Sequence, residues 1–313
     1  MKTSPEISII VPVRDEAANL DALIQAVNSQ LSDITKDYEI IFVDDGSRDE
    51  TWSKLTGLSN ANPRLCAISF NRSFGKESAM RAGLKFARGA AVIIMDGDLQ
   101  HPPSLLPQMI HSWRADRVMV VEAVKDSKRG SAFSFSGIFN RILSGLTGFD
   151  FSGSSDFKLL DRKVVDQINA LPERLTFFRG IVSWLGYSSK AIKFTPARRT
   201  RGRTRWSLLR LVGLAIDAVT GFSNSPLRIV TVASASFMAF AVILSIQTLA
   251  NWLRGVALEG FTTVIIIVLL VGSVLAFGLG MIGEYLARIF DEIKARPPYI
   301  IGEKIGLSES QSG

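Results

Sequence analysis

Two uncharged stretches near the C-terminus constrain this chain more than any other feature. Ile229–Leu253 and Gly260–Gly283 run for 25 and 24 residues without an Asp, Glu, Lys or Arg. At about 1.5 Å per helical residue each can cross a hydrocarbon core of about 30 Å, so both are expected to be transmembrane helices. Residues 254–259 leave room only for a short external turn. Arg228 precedes the first span and Arg288, Lys294 and Arg296 follow the second, against Arg254 in the turn. That asymmetry predicts a multi-pass protein of the cytoplasmic (inner) membrane with both termini, and the segment 284–313, in the cytoplasm.

The first 197 residues follow a different pattern and are expected to form one cytoplasmic domain. Ile7–Val13 reads as a strand, and Leu20, Leu23, Ile24 and Val27 recur at helical spacing. Glu39–Val43 is a second strand ending in Asp44-Asp45-Gly46-Ser47, with a helix starting near residues 48–51. Leu65–Phe70 is a third, followed by a loop over 71–75 and a helix over 76–88 that Gly89 would cap. Ala91–Ile94 and Val118–Val121 complete the set. Strands alternating with helices predict a doubly wound, mainly parallel α/β sheet whose ligand lies beyond the carboxyl ends of the strands. That edge collects Pro12, Arg14, Glu16, Asp44, Asp45, Asp96 and Asp98. The short β-type run at the N-terminus makes no signal-peptide core. Val-Pro-Val-Arg-Asp-Glu stands where a glycine-rich dinucleotide motif would follow the first strand, which disfavours a nicotinamide dehydrogenase. A lone cysteine, Cys66, rules out a disulfide framework within the chain and reads as a buried thiol.

Met95-Asp96-Gly97-Asp98-Leu99-Gln100-His101-Pro102 follows the fourth strand. Strand alternation would put Asp96 and Asp98 on one side, with Gly97 letting a ligand approach the backbone. Two such carboxylates suit Mg²⁺ or Mn²⁺ that shares its other positions with water and substrate phosphates. The plainer alternative is an Asp-Gly turn. His101 either touches phosphate or packs against Pro102, whereas His111 reads as a helix-surface residue. Residues 126–155, with Lys128, Arg129 and Arg141, read as an acceptor-side segment. Asp156, just before the apolar run that includes Leu159 and Leu160, reads in isolation as a helix cap or turn residue.

Lys and Arg outnumber Asp and Glu by 36 to 29, favouring an anionic partner. The excess is concentrated in Arg198–Arg205, and Leu208, Leu209, Leu211, Val212, Leu214 and Ile216 follow around a stripe of Arg203, Arg210 and Asp217. Residues 198–228 are therefore expected to form a basic amphipathic segment in the membrane interface, with Arg201, Arg203 and Arg205 on a lipid phosphate. The helix is too apolar for a nucleic-acid binder, and no recognition module accompanies it. Gly272, Gly278 and Gly280 offer the second span a route to self-association. A cytoplasmic crevice for a metal-bound nucleotide, joined to this segment and a hairpin, points to an enzyme acting on a lipid phosphate.

Ordered motifs carry a resemblance over nearly the whole chain. They are Val11-Pro12-Val13-x-x-Glu16, Val43-Asp44-Asp45-Gly46-Ser47-x-Asp49-x-Thr51, Asn71-x-x-Phe74-Gly75-Lys76-Glu77, Asp96-Gly97-Asp98-Leu99-Gln100-x-Pro102, Ser155-Asp156-Phe157-x-Leu159 and Gly283-Glu284-Tyr285-x-x-Arg288 with Arg296-Pro297. The chain resembles the family-2 glycosyltransferases of GT-A fold, and within them the polyisoprenyl-phosphate glycosyltransferases that include bactoprenol glucosyltransferases and dolichol-phosphate mannose synthases. The resemblance implies a nucleotide-sugar pocket of Pro12, Arg14, Glu16, Val43, Asp45, Lys76, Asp96, Gly97, Gln100 and Lys125. It also implies metal ligation by Asp96 and Asp98, and catalytic roles for Asp98 and for Asp156 as the acceptor-side carboxylate. The chain departs from the pattern at Arg14-Asp15, where relatives often carry an aromatic and Asn, at Ser155 for a common Gly, and at Lys125 for a common Arg. Gly202 stands where processive synthases carry glutamine, favouring single transfer. The implied reaction is inverting transfer of one hexose, glucose from UDP-glucose, to undecaprenyl phosphate. Donors of the UDP-4-amino-arabinose, UDP-N-acetylhexosamine or GDP-mannose type, and a non-catalytic membrane-anchored nucleotide-binding protein, are the alternatives.

Overall fold

The computed structural model describes residues 4–125, 155–173, 177–195, 225–255 and 260–307. The acceptor-side segment up to Ser154, Arg201, Arg203 and Arg205 with their amphipathic helix, and most of the turn between the spans lie outside them. The described chain divides into two units, the first holding the sheet together with the stretch after Pro297, the second holding the two apolar helices.

The first unit is built on β1 (Ile7–Val13), β2 (Tyr38–Asp44), β3 (Leu65–Phe70) and β4 (Ala91–Ile94), which pair in parallel in the order β4-β1-β2-β3. Helices cover both faces, so these strands read as continuous apolar runs and nearly every residue in them is buried. Pro12 is tolerated in a central strand because it lies beyond the last β1–β4 pair, Ile10 with Ile94. Of the covering helices, α1 (Leu20–Leu31) buries Leu20, Leu23, Ile24, Val27 and Leu31, the expected stripe extended by one turn. Next come α2 (Thr51–Ala61), α3 (Lys76–Phe86) and α4 (Leu106–Asp116). The third packs so closely on the sheet that a Cβ on Gly83 would lie 2.3 Å from Ile10 Cγ2. It ends at Phe86, and Gly89 does not cap it. A Cβ on Gly89 would instead meet the Ser8 backbone nitrogen at 2.4 Å, so glycine is needed there for the chain to pass β1.

Beyond β4 the sheet becomes mixed. β6 (Lys158–Asp161) runs antiparallel between β4 and β5 (Val120–Lys125), and β7 (Ser189–Phe194) runs parallel to β5. Two short helices, α5 (Arg162–Ala170) and α6 (Phe178–Trp184), lie between β6 and β7 in the chain. The opposite edge is closed by β8 (Ile301–Ile305), antiparallel to β3. This strand comes from the segment expected to be only a cytoplasmic tail, and the full order is β7-β5-β6-β4-β1-β2-β3-β8. Cys66 is buried, with its Sγ donating to the Gly306 carbonyl at 3.3 Å.

In the second unit, α7 (Ser225–Leu253) and α8 (Phe261–Ile293) are long and apolar enough to cross a membrane over Val230–Asn251 and Leu270–Ile293. The second helix continues without a break past Gly283 and the charges at Glu284 and Arg288. Gly278 faces its own hairpin, since a Cβ there would lie 3.2 Å from Val230 Cγ1, whereas Gly272 and Gly280 meet nothing within 4 Å.

Candidate active site

The loops after β1, β2 and β3 interlock at the carboxyl edge of the sheet. Asp44 is a structural residue: it accepts the Ser47 backbone N–H (3.1 Å) and the Ser47 and Ser69 hydroxyls. Asp45 turns the other way and accepts the Ser73 hydroxyl (2.7 Å) and the N–H groups of Phe74 (2.6 Å) and Gly75 (3.0 Å). Gly46 and Gly75 both take positive φ, and a Cβ on Gly46 would sit 2.7 Å from the Arg72 carbonyl carbon. Arg14 donates to Ser73 Oγ at 2.6 Å and lies 3.8 Å from Asp45 Oδ2. The Glu16 carboxylate accepts the Asn19 amide at 2.5 Å, and its backbone N–H donates to Thr51 Oγ1. Val43 is fully buried, so it can only form the floor of a pocket on this side.

The Asp-x-Asp pair does not owe its arrangement to strand alternation. β4 ends at Ile94, and Asp96–Gln100 form a turn in which Leu99 has φ +59° and Asp98 Oδ1 accepts the Gln100 N–H at 3.1 Å. Gly97 packs under β1, where a Cβ would come 2.8 Å from Val13 Cγ1. His101 fixes the turn: its Nδ1 accepts the Asp96 N–H at 3.0 Å while its ring stacks on Phe157 at 5.1 Å. That bond makes it a Nδ1 acceptor, and burial lowers its pKa, so the ring is neutral. It therefore supports the motif and stacks on Phe157. His111 is exposed on α4 as expected.

Three segments distant in sequence then converge. Lys76, the first residue of α3, places its Nζ 2.5 Å from Asp96 Oδ1 and 2.6 Å from Asp156 Oδ2. Arg179 in α6 donates from Nε to the other Asp156 oxygen at 2.6 Å. Asp156 is thus neither a helix cap nor a turn residue. Burial alone would raise its pKa, but Lys76 and Arg179 outweigh that and hold the carboxyl well below the usual carboxylate range. Lys76 and Arg179 are correspondingly pushed upward against the burial that opposes their charge. Ser155, the departure from glycine, hydrogen-bonds the Ala123 carbonyl and so pins the strand entry to β5. Glu77 lies beside this cluster. Burial, with the Asp156 charge nearby, pushes its carboxyl up to about 7. Lys125 ends β5.

Asp96, Lys76 and Asp156 are therefore brought together from the set expected to act, with Asp98 in the same turn as Asp96, while Pro12, Arg14, Glu16 and Asp45 gather around the loops after β1–β3. The sequence missed Arg179 and Glu77 as site residues. Arg179 follows Asp156 by a strand, a helix and a loop, and no local pattern links them. Among the described residues no three His, Cys, Asp or Glu side chains form a ready-made ion cage. The Asp96 and Asp98 carboxylates fit a hard divalent ion that draws its remaining oxygens from water and a diphosphate.

The model for glycosyl transferase family 2 matches residues 8–167, and the model for the GtrB C-terminal hairpin matches residues 225–289. The uncharacterized glycosyltransferase YkcC of Bacillus subtilis is 34% identical over 313 residues, covering 97% of this chain and 95% of that protein. The SfII prophage-derived bactoprenol glucosyl transferase of Shigella flexneri is 36% identical over 307 residues, covering 95% of this chain and 97% of that protein. The prophage bactoprenol glucosyl transferase homolog of Escherichia coli K12 is 34% identical over 95% of this chain and 98% of that protein.

Proposed function

This chain belongs to glycosyl transferase family 2 and is a glycosyltransferase, and from that premise we propose that it moves one hexose from a nucleotide sugar onto a polyprenyl phosphate. The observation that carries the reading is the convergence of Asp96, Lys76 and Asp156, which sets a cation and an acceptor-side carboxylate against the Asp-x-Asp turn. The matched hairpin and the bactoprenol-linked names of the relatives support a lipid-phosphate acceptor, undecaprenyl phosphate, and glucose from UDP-glucose as the donor.

A phosphate oxygen of the acceptor attacks the anomeric carbon on the face opposite the nucleotide. The new O–C1 bond forms as the bond from C1 to the nucleoside diphosphate breaks, the electron pair leaves with the diphosphate, and the anomeric centre inverts. Pro12, Arg14, Glu16, Val43 and Asp45 hold the base and ribose, and Gly97, Gln100 and Lys125 serve the sugar-diphosphate. Lys76 offsets phosphate charge between donor and acceptor. Asp156 orients groups and does not abstract a proton, because the acceptor phosphate is already ionised and a carboxylate clamped by two cations is a poor base. Mg²⁺ or Mn²⁺, held by Asp96 and Asp98, would stabilise charge on the departing diphosphate.

The domain plan is residues 1–197 together with β8 for catalysis, 198–228 as the basic membrane-surface segment with Arg201, Arg203 and Arg205 on lipid phosphate, and two crossings in the inner membrane. β7 and β8, before and after the two apolar helices, belong to one sheet. An even number of crossings returns the chain to the side it left, which supports both flanks lying on one side, and the basic residues that flank the spans assign that side to the cytoplasm. The test is transfer of label from a panel of UDP- and GDP-sugars to undecaprenyl phosphate in membranes, with Mg²⁺ or Mn²⁺. Label is expected in the lipid from UDP-glucose and not with Asp98→Ala. Label from another donor would revise the sugar, and none from any donor would overturn the reading.

A further inference from the structure

We propose that Arg179, together with Lys76, binds the phosphate of the acceptor, with Asp156 holding both cations from beneath and Glu77 fixing their spacing. The inference rests on the lipid-phosphate acceptor proposed above. Asp156 is buried, its side chain 8% exposed, while those of Lys76 and Arg179 are 41% and 35% exposed. One carboxylate thus anchors two cations whose outer parts face solvent. Lys76 is shared between Asp96 and Asp156, whereas Arg179 is held by Asp156 through Nε alone. Arg179 uses Nε on Asp156, and among the described residues its two terminal nitrogens have no hydrogen-bond partner. A guanidinium anchored in this way presents two parallel N–H donors that match two phosphate oxygens.

The spacing of the two cations is fixed by their sequence neighbours. Glu77 follows Lys76, Phe178 precedes Arg179, and the Phe178 N–H donates to Glu77 Oε2 at 2.9 Å. The bond ties the start of α3 to the start of α6 with one cation on each side of it. Glu77 acts through the backbone and is a positioning residue, whereas Arg179 would touch the substrate. Phosphate could come from the donor diphosphate or from the acceptor. Arg179 contacts Asp156 directly, whereas the Asp-x-Asp turn is contacted by Lys76, which favours the acceptor for Arg179.

The full-length protein in nanodiscs tests this by steady-state kinetics in which undecaprenyl phosphate and UDP-glucose are varied separately. Arg179→Ala and Arg179→Lys are expected to raise the acceptor KM about ten- to a hundredfold, the scale of a lost charged hydrogen-bond pair, and to leave the donor KM within about twofold. The Lys variant keeps the charge and loses the fork, and melting curves separate misfolding from lost binding. Glu77→Ala should raise the acceptor KM, and Glu77→Gln, which retains an acceptor for Phe178, should restore it. An unchanged acceptor KM in Arg179→Ala overturns the proposal, and a raised donor KM instead assigns Arg179 to the donor diphosphate. If the wild type transfers no sugar to the lipid, the proposed function fails separately. Binding of dodecyl phosphate against dodecanol then still decides, since a phosphate preference that survives Arg179→Ala also refutes the assignment.

Discussion

Asp45 and Asp156 are both buried carboxylates at the carboxyl edge of the sheet, and they are satisfied in opposite ways. Asp45 accepts two backbone N–H groups and a hydroxyl, all from the loop after β3. Among the described residues Asp156 accepts only from long cationic side chains, one from α3 and one from α6. The first arrangement spends the carboxylate on backbone donors and makes a rigid loop; the second shares the Lys76 ammonium with Asp96 and holds the Arg179 guanidinium by Nε alone. A buried carboxylate is thus a staple beside the loop after β3 and a mount for charge at the entry to β6.

Removing the mount should have the largest effect. Asp156→Ala leaves Lys76 and Arg179 without their common anchor, and transfer is expected to fall about 10²–10³-fold with the fold intact, read as initial rates beside a melting curve. Retention of activity within tenfold would erase the contrast. Asp45→Ala should act differently, loosening the 71–75 loop so that the donor KM rises about tenfold while the acceptor KM stays put. A rise in acceptor KM alone would break the comparison from the other side.

Glu77 sharpens it further. Its carboxyl, raised from 4.5 to about 7, binds a proton more tightly in the folded state than in the unfolded chain. Its contribution to stability therefore falls as pH rises from about 4.5 to about 7 and is constant above that. Glu77→Gln removes this dependence, so the variant should gain on wild type across that window, by about 3 kcal/mol at pH 8. Identical pH profiles would show that the acceptor side holds no strained carboxyl. The smallest effect is expected at Glu303→Ala, which removes the exposed 3.1 Å bond from Trp52 Nε1 to β8 and should cost less than about 1 kcal/mol in a denaturation midpoint.

Much of the molecule was legible because its signals are local. The strands and α1 follow from apolar runs and helical spacing, and the two long helices from length and lack of charge; the hairpin is what the exposed Val232, Met238, Ile246 and Leu279 would lead one to expect of surface built for a solvent other than water. The motifs located Asp96, Asp98 and Asp156 as candidates for the same reason. β8 was not legible, because a five-residue edge strand after a helix carries its meaning only in the partner it pairs with. Strand alternation misdirected the reading of Asp96 and Asp98, since a positive φ at Leu99 and a histidine acceptor set that turn.

By itself, then, the sequence determined the α/β sheet, the hairpin and the carboxylates at the strand ends, because periodicity, chain length and turn residues act over a few neighbours. The tertiary structure alone decided which charges meet. Lys76, Asp156 and Arg179 are joined by no spacing rule, and only the packing of α3, β6 and α6 brings two cations onto one buried carboxylate, where Coulomb attraction overcomes the cost of burial.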